Sequence, residues 1–282
     1  MIVSGYHVHL PRIGKVKMHE MLRFSGRILA VTVSREANRW FASFSVEVEE
    51  APFQRESQAS VGVDLGLIDL AVLSDGTRFA NPQALRRNLK KLRRLSRGLS
   101  HKKKGSENRR KARMKLAKLH YRISCIRKDA LHKLTTYLVK NYSLIGIETL
   151  NVKGMLKNGR LSRAVADVGM HEFRRQLAYK SVLYGTQLVL ADRWFPSSKT
   201  CSECGCVREV PLKLAVRRWL CHECGVEHDR DLNAAINLRI MAESYSVTAC
   251  GEESAGHGHK TVTKLTSTKQ ESNRDAVLCS GS

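Results

Sequence analysis

The apolar positions at the start of the chain follow a period of two. "YHVHL" runs into the proline-bearing turn "PRIG", and "GRILAVTV" and "WFASFSVEVEE" flank "SREANR". Alternation bounded by turn residues predicts short strands and a hairpin. In the second arm Trp40, Ala42, Phe44, Val46 and Val48 alternate with more polar neighbours, which predicts one buried face. Residues 1–55 therefore read as a small β unit, too thin for an independent core. The polar stretch "PFQRESQAS" (52–60) reads as a linker.

Beyond the linker, strand-like and helix-like periods alternate. "VGVDLGLIDLAVLSDGTRFA" (61–80) predicts strand, turn, strand, turn, strand, with Gly66 and "SDG" supplying the turns. Leu85, Leu89, Leu92, Leu95 and Leu99 recur at spacings of three and four, as do Leu116, Leu119, Ile123, Ile126 and Ala130. That period predicts two helices, and "HKKKGSENRR" between them breaks it. An antiparallel helical hairpin over about 84–140 results. "YSLIGIETLN" (142–151) reads as a buried strand, and the polar, glycine-bearing 151–167 as a mobile loop. "MHEFRRQLAYKSVLYG" (170–185) predicts a helix with Phe173, Leu177 and Val182 inward; "TQLVLAD" (186–192) predicts a further strand. The fold class is α/β with a core over 60–192. A cysteine module follows over 193–227, then a last element over 228–243 with the helix "LNAAINLRIMAES". The Ser-, Thr-, Gly- and Lys-rich 244–282 predicts a disordered tail.

Charge narrows the partners. The chain of 282 residues carries 49 Lys and Arg against 26 Asp and Glu, a net +23. Between Arg86 and Lys133 twenty Lys and Arg face two acids, Glu107 and Asp129, a local balance of +18. The plain reading of such a run is a solvated helical face. Its length and single sign favour a phosphate backbone as partner. No apolar stretch approaches the roughly 18–20 residues of a membrane span. "MIVSGYHVHL" does not resemble a signal peptide. Two tight cysteine pairs in such a chain favour metal over disulfides and a reducing, cytoplasmic setting.

Those pairs are "CSECG" (201–205) and "CHECG" (221–225), spaced Cys-x2-Cys-x16-Cys-x2-Cys. Each Cys-x-x-Cys turn can aim two thiolates at one ion, and the trailing glycine relieves the tight knuckle. Cys201, Cys204, Cys221 and Cys224 would close a structural, tetrahedral Zn2+ site. Cys206 is a rival to Cys204, though spacing and the trailing Gly205 favour Cys204. Cys125, Cys250 and Cys279 stand alone, and His222 and His228 read as surface histidines.

A second concentration of chemistry is acidic. Asp64 in "VGVDLG" and Glu148 in "LIGIETLN" are each flanked by apolar residues. An acid at the end of a buried strand is costly unless paired, and a hydrated divalent cation is a suitable partner. Asp229 and Asp231 open the last helix, where an Asp also serves as a cap. Together these acids suggest a metal-dependent phosphodiesterase centre with two Mg2+ about 4 Å apart.

"VGVDLGLIDLAVLSDG", "IGIETLNVKGM", "WFPSSKTCSECG" and "WLCHECGVEHDRDLNAAINL" resemble the OrfB-type proteins of insertion sequences, the TnpB family. The resemblance covers roughly residues 5–242. It implies an RNase H-like, RuvC-type mixed sheet with a helical hairpin and an inserted zinc ribbon, preceded by a partial β wedge over 1–55. It implies Asp64, Glu148 and Asp231 as catalytic magnesium ligands, with Asp229 ranked after Asp231. The four cysteines would hold the zinc. Small Ala234 and Ala235 would let the last helix pack closely on the sheet. The implied activity is RNA-guided DNA cleavage, with guide RNA and target DNA as partners. Relatives begin with a wedge interrupted by a helical bundle, and this chain is expected to start inside the second half of that wedge. Two other readings are a nucleic-acid-binding regulator that does not cut and a transposase that joins DNA ends.

Overall fold

The computed structural model describes residues 2–47, 58–210, 212 and 215–249. Val48, most of the linker and everything after Ala249 lie outside the described residues, as does the expected disorder of 250–282. The chain divides into two compact units, one built on residues 1–51 and one on 52–259. No helix among the described residues is long and apolar enough to cross a membrane.

The first unit holds β1 (Ile2–Ser4), β2 (His7–Leu10) and β3 (Gly14–Lys17) in one antiparallel sheet. It also holds the hairpin of β4 (Arg27–Glu36) and β5 (Arg39–Glu47). The hairpin falls where the alternation predicts it. The single buried face does not form: Trp40 is 68% exposed, and Ala42, Phe44 and Val46 are only partly covered. A two-stranded ribbon has no second layer to bury a face against, so alternation alone cannot produce a core there.

The second unit is built on a five-stranded mixed sheet. Its strands are β6 (Ser60–Leu65), β7 (Asp69–Leu73), β8 (Arg78–Ala80), β9 (Leu144–Ile147) and β10 (Gln187–Leu190). Their order is β10-β9-β6-β7-β8. β6, β7 and β8 form an antiparallel meander, and β9 and β10 add to β6 in parallel. Between β8 and β9 lie α1 (Ala84–Ser100) and α2 (Glu107–Asn141). They pack through Leu92 and Leu95 against Leu116, Leu119 and Ile123, so the leucine period is the seam of the hairpin. Ser106 caps α2, accepting from the Arg109 amide at 3.2 Å, and the Arg109 guanidinium donates to the carbonyls of Leu99 and Lys102 at the end of α1. The seven Lys and Arg residues of α1 are all exposed.

Residues 151–167 are not a loop throughout. They form α3 (Val152–Lys157) and most of α4 (Ser162–Val168), ahead of α5 (Met170–Leu183). Val165 and Val168 are buried in the main core, with Val152, Met155 and Leu161 packed against it. Those apolar positions are too few per turn to outweigh the polar composition on paper. A second contact anchors the segment: Asp167 on α4 accepts from the backbone amides of Leu85 and Arg86 at 2.9–3.2 Å. This carboxylate caps α1 from another element, where Gln83 offers no side-chain cap. Asp167→Ala is expected to cost about 1–2 kcal/mol of stability, because it leaves first-turn amides of α1 unpaired. Urea unfolding checks this, and a midpoint within error of the parent's would contradict the assignment.

On one face of the sheet α2 and α5 bury Leu131, Leu134, Leu138, Phe173 and Leu177 against Val61, Val63, Ile145 and Ile147. Phe173 and Leu177 point inward as predicted, whereas Val182 is 64% exposed. Lys180 takes the inward position instead: its amine donates to Thr135 Oγ1, Thr136 Oγ1 and the His132 carbonyl, and burial pulls its pKa down to about 8.

The last helix, α6 (Arg230–Ala249), runs past Ser244 and covers the other face. It lies on two glycines. Gly62 of β6 and Gly146 of β9 are register partners. A Cβ on Gly62 would stand 1.9 Å from the Ala235 carbonyl oxygen, and one on Gly146 2.3 Å from that of Leu238. Ala234, Ala235 and Ala242 are buried at this contact, so the small residues of the helix do meet the sheet closely.

Candidate functional site

The same glycine pair places the acids. Along β6 successive side chains alternate faces, so Asp64 shares the α6 side with Gly62. Glu148, one residue beyond β9, stands two residues after Gly146 in the same way. The register Gly62↔Gly146 and Val63↔Ile147 continues to set Asp64 beside Glu148 at the carboxyl ends of two parallel strands. Asp231 lies one helical turn ahead of Ala235, which covers Gly62. One turn of helix therefore carries it toward Asp64.

The electrostatics report that proximity. Burial pushes the Asp64 carboxyl well above the ordinary range, and the charges of Glu148 and Asp231 push it further; Arg230 and Arg217 pull it back. Burial likewise raises Glu148, while the Ser197 hydroxyl, which hydrogen-bonds its carboxylate, and Arg230 oppose the rise. Like charges crowded in a desolvated site disfavour ionisation, and a cation reverses that. Among the described residues only two sets of potential ligand atoms lie within 4.8 Å of one another, and neither includes these acids. The three acids thus stand wider than such a set, with Glu148 bonded to Ser197 and Asp231 paired with Arg217. Arg217 holds both oxygens of Asp231 at 3.0–3.1 Å.

The two aspartates of the last helix have different tasks. Asp229 Oδ1 accepts from the amides of Asp231 and Leu232, both at 3.1 Å, so Asp229 caps α6. Its other oxygen takes Arg78 at 2.9 Å, and Arg78 also holds Asp69. Asp231 is left facing Asp64.

Two residues passed over in the sequence hold this arrangement together. Asn233 and Asn237, four apart on α6, are buried. Their side-chain amides both donate to the Thr200 carbonyl at 2.7 Å, and Asn237 also donates to that of Ser197 at 2.7 Å. Asn233 Oδ1 accepts from the Ser202 amide at 3.0 Å. The helix bearing Asp231 is thereby tied to the segment whose Ser197 hydroxyl holds Glu148. Their i, i+4 spacing in an alanine-rich helix was the available signal.

The first cysteine of the module, Cys201, follows Ser197 after Ser198, Lys199 and Thr200. Cys201, Cys204, Cys221 and Cys224 bring their sulfurs together, with Cys201–Cys224 at 3.6 Å and Cys204–Cys221 at 3.7 Å. A tetrahedral zinc with Zn–S near 2.3 Å has edges of about 3.8 Å, so the set can hold such an ion. Cys204, not Cys206, belongs to it. Gly205 and Gly225 take φ of +73° and +68° to turn the two knuckles. β11 (Arg218–Leu220) and β12 (Glu227–Asp229) pair to bring the second knuckle back to α6. The reading of His228 as a surface residue is corrected: it is buried on Trp219, with Nε2 3.0 Å from Cys201 Sγ. This contact between ring nitrogen and sulfur fixes the orientation of the Cys201 side chain from behind the cluster. The cross-strand pairing Trp219↔His228 put it there, and no local pattern announces that pairing.

A mixed α/β core with neighbouring half-buried acids, beside a four-cysteine cluster able to hold a metal on a strongly basic chain, defines the class of α/β protein. Comparison narrows it. Residues 43–159 match the family model of a probable transposase, OrfB of the IS605 type, and residues 171–238 match the TNB domain of Cas12f1-like proteins. A candidate RNA-guided DNA endonuclease of Streptomyces pristinaespiralis is 46% identical over 245 residues, covering 86% of this chain and 60% of that protein. InsQ of Escherichia coli K12, also described as a candidate RNA-guided DNA endonuclease, is 36% identical over 260 residues, covering 87% and 64%. A cryo-EM structure of a CRISPR-Cas12f ternary complex is similar at 18% identity and a TM-score of 0.47, covering 74% of this chain and 44% of that one. The chain belongs to the TnpB family, the OrfB-type proteins of insertion sequences. It spans about three-fifths of the length of these two relatives.

Proposed function

We propose that this chain carries the nuclease centre of an RNA-guided DNA endonuclease, a RuvC-like site on an RNase H-like sheet, with Asp64, Glu148 and Asp231 as its acids. The observation that carries the reading is the placement of three acids from β6, the end of β9 and the start of α6 around one desolvated spot. The meander β6-β7-β8 extended by parallel β9 and β10 fits such a sheet. The names of the relatives support the substrate, since they describe RNA-guided DNA endonucleases.

The donor set fits Mg2+: all three residues are carboxylates, and burial, with like charge added at Asp64, holds Asp64 and Glu148 above their ordinary range, which a cation would reverse. Bound magnesium would supply an activated water and charge stabilisation for the leaving oxygen. The chain's own groups do the rest. Ser197 aims Glu148, Asp229 frees Asp231 by taking the capping task, and the glycine floor brings α6 within reach of both strands. Arg217 pairs with both oxygens of Asp231, and that ion pair would have to open for Asp231 to hold a cation. Zinc in the four-cysteine set would fix where the chain re-enters the core, because His228 and Asp229 follow directly on the second knuckle. The exposed cationic face of α1 offers a surface for guide RNA or target DNA phosphates.

The test is purification with co-expressed RNA, sequencing of the RNA retained, and cleavage of a matching duplex in Mg2+. The expected result is cutting by the parent chain and none by Asp64→Ala, with RNA retention unchanged. An Asp64→Ala variant that still cuts would remove this site from the reaction.

A further inference from the structure

We infer that the ribbon carries a second divalent-metal site, formed by Cys206, His222 and Glu223 on its outer surface and suited to a zinc-class ion. It is independent of the nuclease reading. The ligand atoms of the three residues all lie within 4.8 Å of one another. Cys206 Sγ is 3.7 Å from His222 Nε2, and His222 Nε2 is 3.3 Å from Glu223 Oε1. A tetrahedral zinc with ordinary Zn–S and Zn–N or Zn–O bonds requires edges of about 3.6 Å between sulfur and nitrogen and about 3.3 Å between nitrogen and oxygen. Both observed edges match, with no ion assumed.

The backbone holds the three in place for reasons unrelated to one another. The Cys206 carbonyl accepts from the Cys201 amide at 2.8 Å, and Thr200 bridges Val207, so Cys206 is tied to the base of the first knuckle. His222 and Glu223 are the two middle residues of the second knuckle, closed by the Gly225 amide donating to the Cys221 carbonyl at 3.0 Å. The two knuckles that aim four cysteines inward therefore present a thiol from one and an imidazole and a carboxylate from the other outward. One soft, one intermediate and one hard ligand suit Zn2+ among the common divalent ions. His222 and Glu223 side chains are 56% and 62% exposed, so water completes the shell and the fourth position stays open to exchange. Loading releases the Cys206 thiol proton to solvent, and neutral His222 binds through Nε2. The contrast is an exposed His–Glu ion pair with a thiol beside it, which would hold nothing.

The experiment uses the full chain. Apo protein is titrated with Zn2+ against a chromophoric chelator, then dialysed and counted by elemental analysis. The expected result is two zinc ions per chain, one tight and one at least tenfold weaker. Cys206→Ser and His222→Ala each lower the count to one and leave the tight ion and the circular dichroism spectrum unchanged. Cys221→Ser removes the tight ion. Co2+ in the weaker site should show the thiolate charge-transfer band of a single sulfur. A parent chain that saturates at one zinc would overturn the proposal. So would release of the tight ion by Cys206→Ser, which would put Cys206 among the ligands of the inner site.

Discussion

Asp231→Ala is expected to lower metal-dependent DNA cleavage by roughly a thousandfold or more, since several kcal/mol of transition-state stabilisation would run through the cations it holds. Asp229→Ala is expected to keep cleavage within about tenfold and to lose about 1 kcal/mol of stability. The two residues lie two apart, yet one caps α6 and binds Arg78 while the other faces Asp64. Stability offers a readout that needs no nucleic acid. Asp64 and Glu148 have folded-state pKa values raised above their ordinary ones. The folded chain thus keeps protons that the unfolded chain releases. Metal-free stability should fall as pH rises from the ordinary carboxylate range through the raised values, and stay level above them. Mg2+ or Mn2+ at pH 8 should restore it, and at pH 4.5 should add little. Asp64→Asn should be more stable than the parent without metal at pH 8 and lose the cation increment. Thermal melts at the two pH values, with and without cation, check all of this. A cation increment that survives both Asp64→Asn and Asp231→Ala would sink the site.

The largest effect on folding is expected from Gly62. A Cβ there would stand 1.9 Å from the Ala235 carbonyl oxygen and 2.4 Å from the Arg239 amide nitrogen. Both are backbone atoms of a helix, so no side-chain rotation relieves the clash. α6 must lift off β6, and with it Asp231 and the Asn233 and Asn237 tethers. Gly62→Val should cost at least about 3 kcal/mol, above the usual range for overpacking because rigid backbone must move. Gly146→Ala should act the same way, through the Leu238 carbonyl and the Ala242 methyl. Gly159→Ala, which meets nothing within 4 Å and needs no positive φ, should stay within about 0.5 kcal/mol of the parent. Denaturant unfolding compares the three. A Gly62→Val chain with the parent's midpoint would mean that the helix does not rest on this strand.

Much of the site is written in short patterns. "VGVD" and "IGIE" share one form, a glycine two residues ahead of an acid in an apolar strand. Period two puts glycine and acid on one face, so each motif pairs a landing place for a helix with a candidate site acid. The acids alone drew notice from the sequence, while the glycines explain why the helix can bring the third. The leucine seams of α1 and α2 were legible because local periodicity suffices to define them. The 151–167 segment was not, because its order comes from Val165 and Val168 in a core assembled by other elements, and from Asp167 capping α1 through the Leu85 amide, 82 residues earlier.

The amino-acid sequence by itself determined the five strands of the main sheet, the basic hairpin, the helix over 170–183, the cysteine knuckles and the identity of the candidate acids. Each of these is a matter of spacing within a few turns of chain. Only the tertiary structure gave Asp229 the capping of α6, buried His228 behind Cys201, left Trp40 exposed and parted Cys206 from the inner four. Those outcomes depend on which distant groups a side chain meets once strands take their register and α6 comes down on the sheet. No local period encodes such meetings.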